Sequence, residues 1–328
     1  MSRFWKIALM IPLLLAACAP AIAPASPTST ALPTLPPTPT STAAPTSTPL
    51  PTPTAIPLVP NFAHIVIVVF ENKEFGSVIG RPNMPYFNVL AQTNTLLTQH
   101  YAVTHPSLPN YIALVSGDTH GITANCEDCF IAAPSLADQV EASGRTWKTY
   151  QQSMPSPCFL GSTLAYAQKH NPFIYFDSIR LDAARCNERV VPLDQLDVDI
   201  ATRTLPNFIF ITPNLCYSSH DCALELADAW LNTLLDKLVP ALDATAEPYL
   251  LVLTWDEGQG NHSCCGLAPE AGGRVATVLV SPQAKRNFQD DTPYSHYSLL
   301  KTIEEAWNLP YLGHAADGSA ALILRPWK

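Results

Sequence analysis

The chain has 328 residues, 18 Lys+Arg against 27 Asp+Glu, and a net charge of −9. That balance argues against nucleic-acid binding, because phosphate contacts need a basic surface. Fourteen of the 32 Pro precede residue 61, where Arg3 and Lys6 are the only charges; residues 61–328 read as one acidic globular domain large enough for a substantial core.

At the N-terminus, Arg3 and Lys6 form a basic stretch, Ile7 to Leu15 is apolar, and small residues lead to Cys18 in the string LAAC. Residues 1–18 therefore read as an export signal. The apolar run is about half the roughly 20 residues that a spanning helix needs. LAAC resembles a bacterial lipobox, which implies cleavage before Cys18 and acylation of its thiol. The chain would then be a cell-envelope lipoprotein held at a membrane by lipid rather than by a span; an ordinary signal peptide cut elsewhere, with Cys18 incidental and the protein secreted, is the alternative. Residues 19–60 carry no charge and repeat Pro, Thr, Ser and Ala. Such a segment cannot bury a core and is expected to be an extended linker.

Beyond the linker, four apolar runs read as buried strands of a parallel sheet: His64–Phe70, Phe208–Thr212, Tyr249–Thr254 and Val275–Val280. Helical patterns lie between and after them, at Ser135–Ser143 with Ser135 as N-cap, at Ala223–Val239, and at Leu299–Trp307. Alternating strands and helices predict an α/β sandwich. Eight cysteines remain beyond Cys18, an even number that suggests disulfides in an exported domain. The expected pairs are Cys126–Cys129, Cys158–Cys186 and Cys216–Cys222. The adjacent Cys264 and Cys265 look awkward for ordinary disulfide geometry.

Ligands of open α/β sheets bind beyond the carboxyl ends of the strands. Glu71-Asn72 follows the first strand directly, and Asp256-Glu257 comes two residues after Tyr249–Thr254. Two acidic dipeptides at one sheet edge would offer hard oxygen ligands to a divalent cation, although a strand-end carboxylate can equally be solvated or cap a helix. The string THPSLPNYIALVSGDTHG, residues 104–121, predicts a helix with Pro109 in its first turn and Gly117 closing it. Ser107 would stand at the helix N-terminus, where free N–H groups and the dipole favour a phosphate. The local sequence also admits the plainer reading that Ser107 only caps the helix.

These residues, with KHNPF at 169–173, TPNLC and HDC around 212–222, WDEG at 255–258 and SHYSLLKTIEEAWNLP at 295–310, appear in order between His64 and Leu312. Together they resemble the phosphoesterase family of bacterial and fungal acid phosphatases and bacterial phospholipases C, within the alkaline-phosphatase-like superfamily. The resemblance implies a three-layer sandwich around a mostly parallel sheet. It implies Ser107 as nucleophile and Glu71, Asn72, Ser107, Asp256 and Glu257 as ligands of one divalent metal ion. It places His220, Asp221, His262 and His296 near the phosphate, with His296, His220 or His262 moving protons, and Asn110 helping to hold the site. The implied activity is hydrolysis of phosphate monoesters through a phosphoserine. A phosphodiesterase, a phospholipase C, a phosphoinositide phosphatase and a non-catalytic anion-binding lipoprotein are the alternatives. Relatives often carry ENRSFD or ENHSFD where this chain has ENKEFG, residues 71–76, so Glu74 and Gly76 depart from the pattern.

Overall fold

The computed structural model describes residues 59–328. The expected export signal, Cys18 and nearly all of the 19–60 linker lie outside the described residues. Val59, the first described residue, is buried in the core.

Among the described residues nine strands form one sheet. They are β1 (His64–Phe70), β2 (Thr95–Tyr101), β3 (Trp147–Gln151), β4 (Val190–Pro192), β5 (Phe208–Thr212), β6 (Tyr249–Trp255), β7 (Arg274–Val280), β8 (Phe288–Asp290) and β9 (Tyr294–Ser295). The order across the sheet is β4-β3-β5-β1-β6-β7-β2-β8, with β9 also paired to β2. The central ladder β3-β5-β1-β6 is parallel, and every residue of β1, β5 and β6 is buried, as continuous apolar runs require. One expectation needs correction. Strand β7 runs antiparallel to both β6 and β2, because an apolar run carries no signal of chain direction. Strands β2 and β3 were not anticipated, since TLLTQHY and WKTYQ mix apolar with polar residues.

Alternate side chains of β1 enter opposite layers, as the period of two dictates. Ile65, Ile67 and Val69 pack with α3 (Ser107–Ser116), α4 (Leu136–Ala142) and α9 (His296–Ala306), together with α5 (Asp177–Arg180) and α6 (Ala183–Arg189). Val66, Val68 and Phe70 pack with α1 (Phe75–Val78), α2 (Pro85–Thr93), α7 (Gln195–Thr202) and α8 (Leu224–Asp243). The result is a three-layer sandwich with a mostly parallel sheet. Ser135 and Asp138 close a reciprocal cap at the start of α4. Among the described residues no helix is long and apolar enough to cross a membrane.

Three expected disulfides are present, Cys126–Cys129, Cys158–Cys186 and Cys216–Cys222. The fourth is a correction: Cys264 and Cys265 bond to each other, with Cys265 in the left-handed region at φ 59°.

Candidate active site

Strand register assembles the acidic cluster. Phe70 and Trp255 are partners in the parallel pair β1–β6, so the next residues, Glu71 and Asp256, emerge side by side at the carboxyl edge. The Asp256 amide donates to Phe70 O (2.9 Å), and the Asn72 amide donates to Asp256 Oδ1 (3.0 Å). Asn72 adopts φ 53°, a left-handed turn that Asn tolerates better than most residues.

Ser107 is the first residue of α3, and Pro106 takes the N-cap position. The capping reading is thereby corrected. The Ser107 hydroxyl faces side chains instead: its Oγ lies 3.0 Å from Glu257 Oε1, 3.3 Å from Glu71 Oε2 and 3.4 Å from Asn72 Oδ1. Gly117, at φ 72°, ends the helix, and its amide donates to Ala113 O.

The cluster is costly in free energy as it stands. Burial and the neighbouring Asp256 charge hold Glu71 well above the usual carboxylate range, and burial followed by Glu257 raises Asp256. Tyr111 donates its hydroxyl to Glu71 Oε1, and His170 Nε2 lies 3.2 Å from Glu71 Oε2. Asp256 Oδ2 is buried with no hydrogen-bond partner. An orphaned carboxylate oxygen beside two further carboxylates, an amide oxygen and a hydroxyl is a donor set suited to a hard divalent cation. Among the described residues, however, no three His, Cys, Asp or Glu side chains form a ready-made ion cage.

The other expected site residues fall in distinct places. Asn110 does not face the site opening. Its amide is spent on backbone, accepting from Val103 and Thr104 N–H and donating to Thr104 and Pro106 carbonyls, so it shapes the turn that presents Ser107. His296 is fully buried beneath Asp256: its Nε2 donates to the Asp256 carbonyl (2.6 Å), its Nδ1 meets His100 Nε2 at 3.2 Å, and burial lowers its pKa to about 4. His220 is half-buried, with Nδ1 on Asp221 Oδ1 (2.6 Å) and Nε2 3.3 Å from Lys169 Nζ. His262 is 72% exposed and 3.4 Å from Glu74 Oε1; it is not brought to the serine.

His105 escaped the sequence reading, and so did the role of Glu74, which stands out there only as a departure. His105 bonds Glu257 Oε2 through Nδ1 and faces Gly260 O at 3.3 Å through Nε2. It was overlooked because its neighbour Pro106 reads only as a helix breaker. Glu74, the departure in ENKEFG, accepts from the amides of Gln259 and Gly260 with Oε2 and of Arg274 with Oε1, each at 3.1 Å. A side chain on Gly258 would overlap Glu74, and a Cβ on Gly273 would approach its Oε2 to 2.8 Å. The glycines are therefore what lets one carboxylate peg the loop that follows Glu257.

Comparison with known proteins fits this geometry. The Phosphoesterase family model matches residues 80–310. Phosphatidylinositol-3-phosphatase of Mycobacterium tuberculosis is 33% identical over 264 residues, 79% of this chain and 81% of that protein. Acid phosphatase of Aspergillus fumigatus is 32% identical over 272 residues, 78% of this chain but 57% of its own length. A solved protein of the alkaline phosphatase superfamily from Vibrio parahaemolyticus shares the fold at 12% identity, with a TM-score of 0.54 over 84% of this chain and 75% of that one. On sequence match and on fold together, this chain belongs to the phosphoesterase family, hydrolases of phosphoric ester bonds.

Proposed function

We propose that the protein hydrolyses phosphate monoesters through a phosphoseryl intermediate on Ser107. The observation that carries this reading is the Ser107 hydroxyl, buried and 3.0–3.4 Å from Glu257, Glu71 and Asn72. Glu71, Asn72, Ser107, Asp256 and Glu257 would hold one divalent ion, which would supply charge neutralisation to a phosphate oxygen and to the serine oxygen. Glu257 Oε1 is the nearest acceptor for the hydroxyl proton. Ser107 Oγ then bonds to phosphorus in line while the bond from phosphorus to the ester oxygen breaks. The departing oxygen takes a proton from an imidazole at the site rim, His105 or His220, both partly open to solvent. Water hydrolyses the phosphoserine and returns the hydroxyl. Asp256 is fixed from below by His296, whose ring supports its backbone.

Export belongs to the same reading, with lipid attachment at Cys18. The four disulfides among the described residues suit an oxidising compartment. A lipid headgroup phosphate is the second reading, favoured by the fuller coverage of the Mycobacterium relative than of the fungal one. Ser107→Ala should remove at least about 10³-fold of p-nitrophenyl phosphate turnover with an unchanged melting profile. Retained turnover would rule out the covalent route, and full activity after exhaustive chelation would rule out the ion. Parallel assays on bis-p-nitrophenyl phosphate, phosphatidylcholine and phosphatidylinositol 3-phosphate vesicles separate the substrate classes.

A further inference from the structure

Near the acidic cluster two lysines form no ion pair among the described residues. Lys73 follows Asn72, is half-buried, and its Nζ donates to the Ser219 carbonyl (2.9 Å). Lys169, also half-buried, places its Nζ 3.3 Å from His220 Nε2. Among the described residues neither ammonium lies within 4.0 Å of a carboxylate. Both are nevertheless close enough to feel the cluster, Lys73 the charges of Asp256 and Glu71, and Lys169 that of Glu71.

The arm that both lysines contact, at Ser219 and His220, is well fixed. Glu71 N–H donates to Ser218 O (2.9 Å) and Ser219 Oγ donates to Glu71 O (3.0 Å), so the turn at 218–221 is tied to the end of β1. The Cys216–Cys222 disulfide closes the same turn. The His220 and His170 rings are 5.6 Å apart, and His170 touches Glu71. An unpaired, partly desolvated ammonium in such a fixed setting is a strong donor to an anion.

We propose that Lys73 and Lys169, with His220 oriented by Asp221, grip the non-bridging oxygens of the substrate phosphate and select dianionic monoesters over monoanionic diesters. This rests on the phosphoester reading above and names the substrate charge that the site prefers. A monoester brings two negative charges to a cluster of three carboxylates, so cations opposite those carboxylates lower the cost of binding it. A diester brings one charge and replaces one gripped oxygen by a second ester arm.

The test uses the metal-loaded wild type, Lys73→Met, Lys169→Met and the corresponding Arg variants, at about pH 7.5, above the second ionisation of a monoester near 6. For each Met variant, kcat/KM on p-nitrophenyl phosphate should fall about 10- to 100-fold, mostly through KM, as expected for a lost charge-assisted bond. On bis-p-nitrophenyl phosphate the fall should stay within about threefold, and the Arg variants should recover most of the monoester activity. Equal losses on both substrates, or none, would overturn the proposal. A wild type inactive on both esters would end the hydrolytic reading instead. The arm is then judged by calorimetric binding of inorganic phosphate, expected to weaken in the double Met variant and, if unweakened, refuting the grip.

Discussion

The two flanks of Ser107 are built on opposite plans. On the side of residues 257–274 the polar groups satisfy one another: Glu74 takes three loop amides, His105 joins Glu257, and Gly258 N–H donates to Gly272 O. On the side of residues 169–170 and 214–222, Lys169, His170 and His220 crowd together, with Lys73 reaching in to the Ser219 carbonyl, and their carboxylate contacts are Asp221 on His220 and Glu71 on His170. A flank whose hydrogen bonds are closed internally serves to hold geometry. A flank with surplus like charge serves to receive a ligand of opposite sign. The acidic floor between them, Glu71 and Asp256, is strained by burial and belongs to neither plan.

The largest effect should come from that floor. Asp256→Asn keeps the size and the amide-accepting oxygen but removes the charge, so kcat/KM on a monoester should fall by about 10³-fold or more. In metal-free protein the same change should leave the melting temperature unchanged or raised, since burial disfavours the ionised carboxylate. A destabilised, fully active variant would mean that Asp256 serves the fold and not the chemistry.

Glu304 in α9 is the control for burial without a site. Its Oε1 accepts from Leu312 N–H (2.9 Å), Oε2 has no partner, and burial raises its pKa to about 8. From the ordinary value of 4.5 up to about 8, the folded chain keeps a proton that the unfolded chain has released. Stability therefore falls as pH rises through that window and falls no further above it. At about 1.4 kcal/mol per pH unit the loss reaches on the order of 3 kcal/mol by pH 7. Glu304→Gln should match wild type near pH 4.5 and exceed it by roughly that amount at pH 7 in urea unfolding, with unaltered turnover. A pH-independent difference would show that Glu304 is not protonated in the folded chain.

Glu74→Ala tests the closed flank. It leaves the amides of Gln259, Gly260 and Arg274 without their acceptor and frees the loop behind Glu257. Because Glu74 acts through ligands rather than on substrate, apparent affinity for the divalent ion should drop about 10- to 100-fold, with kcat at saturating metal nearly kept. Amide exchange across 257–274 should accelerate as well. A fall in kcat with unchanged metal affinity and exchange would place Glu74 against the substrate instead.

Much of this was readable beforehand because β1, β5 and β6 are unbroken apolar runs, and their ends point to Glu71 and Asp256 without any knowledge of register. The register Phe70–Trp255, which sets the two carboxylates side by side, is a property of pairing and leaves no trace in either strand alone. The direction of β7 was hidden for the same reason. Ser107 was legible as a helix-start serine, but whether its hydroxyl turned to backbone or to carboxylates depended on side chains 36 and 150 positions away. Glu74 stood out as a departure from ENRSFD, but its three amide partners could not be read from the departure. Its meaning lies in Gly258, Gly260 and Gly273, distant glycines that make room for one carboxylate.

His262 should have the smallest effect, and that smallness is informative. Family resemblance sets it near the phosphate, yet its ring is 72% exposed and lies 3.4 Å from Glu74. An exposed pair of this kind is worth about 0.2–1 kcal/mol of stability, so even if all of it were felt in turnover His262→Ala should alter kcat/KM by less than about fivefold. His105 is the proper contrast, on the connection between β2 and α3 but turned inward to Glu257 and Gly260. If turnover fell a hundredfold in His262→Ala, the loop carrying it would have to swing over the bound ester and bring the imidazole in. A flank pegged by Glu74 could not swing that far without releasing its three amides. The two variants together therefore decide whether the closed flank is a fixed wall or a lid: a wall predicts loss from Glu74→Ala and none from His262→Ala, whereas a lid predicts loss from both.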